Sequence, residues 1–283
     1  MIIDFDIRSG FGDFEHYKMS KFPDGSIKFQ LKVVYDDSDW DDYYIEGVNI
    51  ITTLRNSDDI LALGLVAQQL NYSYGLPIDC YITYMMYQQD DRRFSETESF
   101  GLQFLADILN TYPIRTYTVF HPHSDKVELI RDIKIIDNTS FVKDVTWKLK
   151  HSRPSIVPLV WIIPDSGAFK TQFKQIEKLN HRDFITCMKS RDHETGEITT
   201  VVNTDDLEGK DCFIVDDICL GGATFIGIAE ELKKKNCGKL YLIVSHGVFN
   251  KGIEHLLEYF DVIHTTDSIC TLPQSDRLKI HNL

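Results

Sequence analysis

The chain has 283 residues, of which 43% are hydrophobic and 26% charged, a balance typical of a globular protein with room for two domains. Its formal net charge of -13 argues against a sequence-independent hold on nucleic acid or on an anionic membrane. The six cysteines are scattered and form no CxxC pair, so we expect neither a zinc site nor a disulfide framework.

Two further features bear on location. The early charges of the segment MIIDFDIRSG do not fit a signal peptide. The apolar run from Ile156 to Ile163 is too short to span a bilayer and is interrupted by Pro158. We therefore expect a cytoplasmic protein.

Residues 1 to about 50 have a pattern typical of β-strands. Ile27 to Val33 alternates hydrophobic and polar residues, and Phe22 to Ser26 before it is a turn signal of the Pro-Asp-Gly kind. We predict a solvated acidic loop from Asp36 to Asp42, around Trp40.

From Gly47 onward, strands and helices are predicted to alternate. Ser57 is a candidate cap for the first helix, and Ser95 with Glu98 forms a capping-box pattern before the second. The predicted strands of this part are Val48 to Thr53, Cys80 to Tyr87 and Thr116 to Phe120.

The stretch from about 130 to 155 is less regular, and the predicted alternation of strands and helices then resumes. A helix with Phe169 and Ile176 on its apolar face follows a turn at Pro164 to Gly167, and His193 to Glu197 is predicted to be a hairpin. The predicted strands of this part are Ile156 to Ile163, Asp183 to Met188, Cys212 to Val215, Leu240 to Val244 and Val262 to Thr266.

The stretch from Lys210 to Lys235 carries the clearest chemical signal. A buried strand ends in two carboxylates, Asp216 and Asp217, and Gly221 to Thr224 then leads into a helix. The N–H groups of such a turn favour phosphate, whereas the aspartates suit sugar hydroxyls or a divalent cation. The pattern favours a phosphorylated sugar as ligand; an ordinary βα turn with solvated aspartates is the alternative.

Polar residues follow most of the predicted strands. In a parallel sheet the carboxyl ends of the strands meet at one edge, where ligands bind. The groups at these ends are Gln88 to Arg93, His121, Asp165, Lys189 with Arg191, Asp216 with Asp217, and Ser245 to Gly247.

With these pieces in order, the chain resembles the ribose-phosphate diphosphokinase (PRPP synthetase) family from about Phe22 to Ile269. The matching pieces are FPDG at 22–25, PDSG at 164–167, KSR at 189–191, VDDI with its glycine turn at 215–224, HGVF at 246–249 and TTDSI at 265–269. The resemblance implies an α/β fold of two stacked phosphoribosyltransferase-like domains, each with a mostly parallel sheet flanked by helices. It also implies a homo-oligomer, a dimer or a hexamer.

The implied activity is Mg²⁺-dependent transfer of the β,γ-diphosphate of ATP to the anomeric hydroxyl of a ribose phosphate, with release of AMP. Such an enzyme would feed nucleotide or NAD synthesis. We expect residues 1–145 to form a domain with the ATP loop and residues 146–283 a domain with the sugar-phosphate site.

The resemblance assigns the catalytic and metal-site residues. Lys189 and Arg191 match the cations that stabilise the transition state, in a reaction that depends mostly on positioning and electrostatics. His121 and Asp165 match a pair beside the ATP-bound magnesium. His123 is a rival for the role of His121.

The resemblance also assigns the two substrate sites. Phe22 and Asp24 match residues that reach the adenine of ATP bound to a neighbouring subunit, with Phe22 stacking on the ring. The ATP loop comprises Gln89, Asp91, Arg92 and Arg93. The ribose and its phosphate are assigned to Asp216, Asp217, Gly221, Gly222, Ala223 and Thr224.

The chain departs from the family's pattern at several of these positions. At Leu220 to Thr224 the family's usual acid and one of its hydroxyls are missing, and only Thr224 keeps its type. Gln89 stands in place of an arginine, Ser26 in place of a glutamate and Val119 in place of an aspartate.

A roomier and less polar 5′ pocket could accept ADP-ribose in place of ribose 5-phosphate, as in an offshoot of the family from phage NAD-restoring pathways. Two other functions remain open. One is a phosphoribosyltransferase that consumes PRPP, and the other is a catalytically silent regulatory homologue. Retention of Lys189 and Arg191 argues against the second.

Overall fold

The computed structural model describes residues 2–32, 46–151, 158–191 and 198–283, with the backbone alone at 189–191 and 198–200. The chain divides into two compact units, Met1–Asp137 and Asn138–Leu283. The predicted domain boundary after residue 145 falls within the helix Thr139–His151 of the second unit. The predicted acidic loop at 36–42 and the predicted hairpin at 193–197 lie outside the described residues.

The first unit is built on a parallel sheet in the order β1-β5-β6-β7-β8, with a smaller antiparallel sheet, β2-β3-β4. The strands are β1 Ile2–Asp6, β2 Gly12–Asp13, β3 Tyr17–Lys21, β4 Ile27–Leu31, β5 Gly47–Leu54, β6 Ile78–Met85, β7 Thr116–Phe120 and β8 Ile133–Ile136. The helices are α1 Ser57–Tyr74 and α2 Gly101–Leu109, with a 3₁₀ turn at Asp125–Leu129. The predicted turn joins β3 to β4, where Gly25 has a φ of 88°.

Both predicted helix caps in this unit are wrong. The cap of α1 is Asn56, whose side chain accepts a hydrogen bond from the Asp59 amide, and Ser57 is the first helical residue. Helix α2 begins only at Gly101, whose N–H donates to the Asp90 carboxylate at 2.8 Å. A side chain eleven positions away thus replaces the local capping box, a long-range contact that spacing rules do not detect.

The second unit is built on a sheet in the order β11-β10-β9-β12-β13-β14-β15, parallel except at β10-β11. The strands are β9 Leu159–Ile163, β10 Phe184–Arg191, β11 Ile198–Val202, β12 Asp211–Cys219, β13 Leu240–Gly247, β14 Val262–Thr266 and β15 Leu278–His281. The helices are α3 Thr139–His151, α4 Ser166–Lys178, α5 Ala223–Lys234 and α6 Glu254–Leu257.

Successive side chains of the central strands point to opposite faces of this second sheet, and helices cover both faces. Ile162 and Ile214 pack with α5 on one face, while Trp161 and Phe213 pack with α3 and α4 on the other. Strands buried on both faces read as continuous apolar runs, which is why their positions were predictable. The predicted α/β class with mostly parallel sheets is confirmed.

The fold also contains elements that were not predicted, among them β8, α3, α6 and β15. The described side chains of β8 are mostly exposed, so its sequence carries little burial signal. Helix α3 does carry a signal, because Phe141, Val142, Val145 and Leu149 recur at helical spacing and are buried. No helix in the described ranges combines the length and hydropathy needed to cross a bilayer.

Candidate active site

The carboxyl edge of the second sheet gathers most of the residues assigned to the sugar site and the metal. Strands β9 and β12 are parallel neighbours, so Asp165 after β9 and the acids of β12 lie at the same edge. Lys189 and Arg191 lie near the end of β10, where it leaves β9 and pairs antiparallel with β11. Their backbone is therefore placed one strand away from Asp165.

Asp216 and Asp217 are part of β12 itself, which continues to Cys219, so the predicted strand end at Val215 is wrong. Both side chains are half-buried. The Asp217 N–H donates to Asp216 Oδ1 at 3.0 Å, and the Ile218 N–H donates to Asp217 Oδ1 at 2.7 Å. Burial raises the pKa of Asp216 well above its usual range, and the charges of Asp217 and Asp165 raise it further.

Asp165 combines a structural contact with an available carboxylate. Its Oδ1 accepts a hydrogen bond from the Ala168 N–H at 2.9 Å and so caps α4. Asp165 forms no ion pair within the described residues. Its carboxylate is therefore held in place by the helix start while it faces the acids of β12.

The glycine turn after β12 is fixed by hydrogen bonds to its carbonyl groups. Cys219 O accepts from the N–H groups of Val248 and Phe249, at 3.0 and 3.2 Å. Leu220 O accepts from the Asn250 N–H at 3.2 Å, and Gly221 O accepts from His255 Nε2 at 3.0 Å. In a planar trans peptide the next N–H points away from the carbonyl. The N–H groups of the turn are thereby directed away from the 248–255 segment.

These N–H groups form an open anion cradle. The backbone N–H groups of Gly221, Gly222, Ala223 and Phe225 have no hydrogen-bond partner among the described residues. Gly222 is the N-cap of the twelve-residue helix α5 and makes no side-chain cap. Unpaired donors at a helix N-terminus favour an anion. We call residues 221–225 the cradle.

Gly222 is required at its position for two reasons. Its φ of 76° lies in the left-handed region, and an added Cβ would meet Leu256 Cδ2 at 2.4 Å. Thr224 is half-buried and Ala223 is exposed at the first turn of α5. The predicted turn is therefore present, with its backbone rather than its side chains open to a ligand.

Sequence reasoning missed a set of buried amides behind this edge. Gln172 Nε2 donates to Val215 O at 2.7 Å, and Gln172 Oε1 accepts from Trp161 Nε1 at 2.9 Å. Gln175 Nε2 donates to Asn138 Oδ1, and Asn138 Nδ2 donates to Ser245 Oγ at 2.9 Å. We call Gln172, Gln175 and Asn138 the amide network. A signal was available, because Gln172 and Gln175 take the buried phase of α4 beside Ile176.

In the first unit, the predicted ATP loop lies against the 121–124 segment. Asp91 accepts hydrogen bonds from Arg92 Nε at 2.8 Å and from Ser124 Oγ at 2.7 Å. These bonds, led by that from Arg92, lower the pKa of Asp91 to about 2. Arg93 and Gln89 are exposed. Asp91 is thus a structural anchor of the loop as well as a predicted ATP residue.

Gln88, which carried no assigned role, joins the two segments. It is buried, its Nε2 donates to Met85 O at 2.6 Å, and its Oε1 accepts from the His123 N–H at 2.8 Å. A buried polar residue at the end of a strand was the available signal.

The two candidate histidines differ in their surroundings. His121 has a φ of 38° and is half-buried, and its N–H donates to Ile136 O at 2.7 Å. A left-handed backbone at a non-glycine residue is uncommon and is found often at functional sites. His123 is exposed and lies close enough to Asp91 to lower the pKa of that carboxyl. The choice between the two stays a prediction.

Phe22 and Asp24 lie in the turn between β3 and β4. Phe22 is 49% exposed, with Lys28 Nζ 5.9 Å from its ring centre. Asp24 Oδ1 accepts from Ser26 Oγ at 2.7 Å, which lowers the pKa of Asp24. Ser26, noted as a departure from the family, thus shapes the turn directly.

Across the described part of the chain, no three His, Cys, Asp or Glu side chains are arranged to hold a metal ion. His121 belongs to the first unit and Asp165 to the second. The predicted metal pair therefore draws on both units.

Comparisons with known proteins agree with the motifs. Residues 171–271 match the model of the phosphoribosyl transferase domain. The chain is 26% identical to a ribose-phosphate pyrophosphokinase of Pyrococcus furiosus over 90% of this chain and 86% of that one. It is 24% identical to one of Mycoplasmopsis pulmonis over 73% of this chain, a match that spans 63% of that relative's length.

The fold has a match among solved structures. The crystal structure of phosphoribosylpyrophosphate synthetase from Mycobacterium smegmatis superposes with a TM-score of 0.81 at 15% identity, covering 99% of this chain and 94% of that one. At this identity the match supports the fold alone.

Proposed function

We infer that this chain, which is related in sequence and fold to the ribose-phosphate pyrophosphokinases, transfers the β,γ-diphosphate of ATP to the anomeric hydroxyl of a 5-phosphorylated ribose and releases AMP. The sequence resemblance to that family is confirmed by these relatives. The acceptor, the metal and the residue roles below are proposals.

The observation that supports the reaction best is the cradle next to the acids of β12. A phosphate on C5 of ribose would accept hydrogen bonds from the open N–H groups of Gly221, Gly222, Ala223 and Phe225. The hydroxyls of the ring would donate to the carboxylates of Asp216 and Asp217.

The remaining roles follow from charge. Attack on the β-phosphorus develops negative charge on the transferred diphosphate, and Lys189 and Arg191 would stabilise it. The exposed guanidinium groups of Arg92 and Arg93 would bind ATP phosphates, and exposed Phe22 with Asp24 would contact adenine. Gln89 at this loop supplies amide hydrogen bonds where an arginine would supply charge.

The donor set fits Mg²⁺, a cation that prefers oxygen ligands and binds through one or two carboxylates together with substrate phosphates. Asp165 offers such a carboxylate, and the resemblance assigns His121, with His123 as its rival, to the same role. When bound, the ion would neutralise charge on the transferred diphosphate.

The direct test is AMP release by the purified chain with ATP, Mg²⁺ and ribose 5-phosphate, with the product identified by mass. We expect AMP without any nucleobase, which a phosphoribosyltransferase would not produce. Lys189→Ala should remove most of the turnover while leaving ATP binding nearly intact. If Lys189→Ala and the parent chain release AMP at the same rate, the catalytic role of Lys189 is wrong. A parent chain that releases no AMP with any acceptor would favour the silent homologue.

We also propose ADP-ribose as an acceptor, to give an activated sugar suited to NAD synthesis. The observation behind it is the turn, where Leu220 is 38% exposed and Ala223 is exposed, so neither an acid nor a bulky polar group closes the 5′ side. The measurement is AMP release with each acceptor at equal concentration. Release with ribose 5-phosphate alone would exclude the larger acceptor.

A further inference from the structure

Lys251 lies beside the cradle and had no role in the sequence assignments. Its Cδ and Cε lie 3.4 Å from the position that a Cβ on Gly221 would occupy. This contact is of ordinary van der Waals length, so the aliphatic stem rests on the backbone of the turn. The ammonium group is one bond beyond Cε.

The ammonium group of Lys251 has no partner within the described residues, in either hydrogen bonds or ion pairs. Two lysines of α5 differ in this respect, because Lys233 Nζ donates to Glu258 O and Lys234 Nζ pairs with Glu231 at 2.6 Å. A cation without a partner next to four open N–H groups adds positive potential at the turn, where an anion would be stabilised.

The segment that carries Lys251 is attached to the turn on both sides of this residue. The Asn250 N–H donates to Leu220 O, and His255 Nε2 donates to Gly221 O. Gly252 has a φ of 78°, and its N–H donates to Phe249 O at 2.9 Å. The backbone of Lys251 is thereby held at a set position relative to the cradle.

We propose that Lys251 binds the phosphate ester on C5 of the acceptor and determines its specificity, which deepens the proposed function and rests on it. The open N–H groups of the cradle would donate hydrogen bonds to the phosphate oxygens along fixed directions. Lys251 would add a full positive charge. This charge stands at a turn that has lost the polar side chains of the related enzymes. An acceptor with a diphosphate on C5 has a second anionic group for the same ammonium, so Lys251 should favour it over a monophosphate.

The variants are Lys251→Met, Lys251→Arg and the control Lys239→Met. Lys239 precedes β13, at the opposite edge of the same sheet, and its replacement changes the net charge equally. Isothermal titration calorimetry with ribose 5-phosphate, ADP-ribose and inorganic phosphate gives affinities without turnover. Melting temperatures show that each variant is folded.

We expect Lys251→Met to weaken binding of both acceptors about tenfold, more for ADP-ribose, because a charge-assisted hydrogen bond is lost. Lys251→Arg should retain most of the affinity, and Lys239→Met should match the parent. Added salt should narrow the difference in affinity between the parent and Lys251→Met. Unchanged affinity in Lys251→Met overturns the proposal, as does an equal loss in Lys239→Met or a parent chain that binds none of the three ligands. If binding depends on Lys251 but no acceptor yields AMP, the inference holds and the proposed reaction fails.

Discussion

At the scale of single residues, the site depends on backbone geometry more than on side chains. In the proposed site the glycine turn would bind a phosphate through open N–H groups, without the acid and the hydroxyl that the resemblance leads one to expect there. Those N–H groups stay open because the carbonyl groups of residues 219–221 accept hydrogen bonds from the 248–255 segment. The requirement for glycine at 222 follows from this arrangement.

Gly222→Ala should destabilise the protein and weaken phosphate binding. An alanine there would have a strained φ and would contact Leu256, so we expect a loss of about 2 kcal/mol in unfolding free energy. The matched control is Gly209→Ala, where φ is 75° but nothing lies within 4 Å of the added Cβ. Urea unfolding of both variants separates backbone strain from crowding. Equal losses would show that the contact with Leu256 costs nothing.

His264 predicts a pH dependence of stability. It is buried in β14, its Nδ1 lies 3.1 Å from His281 Nε2, and its Nε2 has no hydrogen-bond partner in the described structure. Burial, together with the charges of His281, Lys148 and Lys279, lowers the pKa of His264 to about 3. Between pH 6.5 and 3 the unfolded chain therefore binds a proton that the folded chain does not.

Stability should thus be constant with respect to this group above pH 6.5 and fall below it, by about 2 kcal/mol at pH 5. The burial of His281 lowers its pKa and acts in the same direction. Urea unfolding of the parent and of His264→Gln from pH 8 to pH 5 measures the effect. A variant whose stability falls as steeply as that of the parent would contradict the assignment to His264.

At the scale of elements, helix α4 connects Asp165, the predicted metal residue, with β12, which carries the acids of the proposed sugar site. It begins at Asp165, and seven residues later Gln172 donates to the carbonyl of Val215, the residue before Asp216. Gln172 of the amide network therefore ties the helix that begins at Asp165 to the strand that carries the acids. A buried network of this kind is costly to break because each partner is left without a hydrogen bond.

Gln172→Leu should cost about 2–3 kcal/mol of unfolding free energy, since Trp161 Nε1 and Val215 O both lose their partner. We also expect a lower turnover number, because Asp216 loses its fixed position. The control is Gln103→Leu in α2, whose side chain bonds only to Asp107 near the surface. Thermal unfolding and AMP release report the two effects. Full turnover at a lowered melting temperature would leave Gln172 with a structural role alone.

At the scale of the whole molecule, the residues assigned by the resemblance are divided between the two units. The first contributes the ATP loop and the exposed Phe22, and the second contributes the cradle and the acids. The resemblance predicts that Phe22 serves a nucleotide bound to another copy of the chain. This prediction requires a homo-oligomer.

Mixing two inactive variants tests that requirement. Phe22→Ala lacks the adenine contact and Lys189→Ala lacks the catalytic cation, so each homo-oligomer should be poorly active. A mixed oligomer would contain sites with Lys189 from one chain and Phe22 from the other, and AMP release should exceed the sum of the separate variants. A sum that is merely additive, after exchange of subunits has been verified, would contradict the shared site.

The sequence determined the order of the main strands and helices, the edge at which polar residues gather, and the glycine turn after Asp216 and Asp217. Burial on both faces makes a strand apolar throughout, and glycine is required where φ is positive, so both leave a local trace. Only the tertiary structure showed the cap from Asp90, the amide network and the position of Lys251. These depend on contacts between residues 11 to 107 positions apart; periodicity indicates that Gln172 and Gln175 are buried, but it does not show which groups they contact. The turn could be predicted from the sequence. The hydrogen bonds to its carbonyl groups and the position of Lys251 beside it were decided by the packing of the tertiary structure.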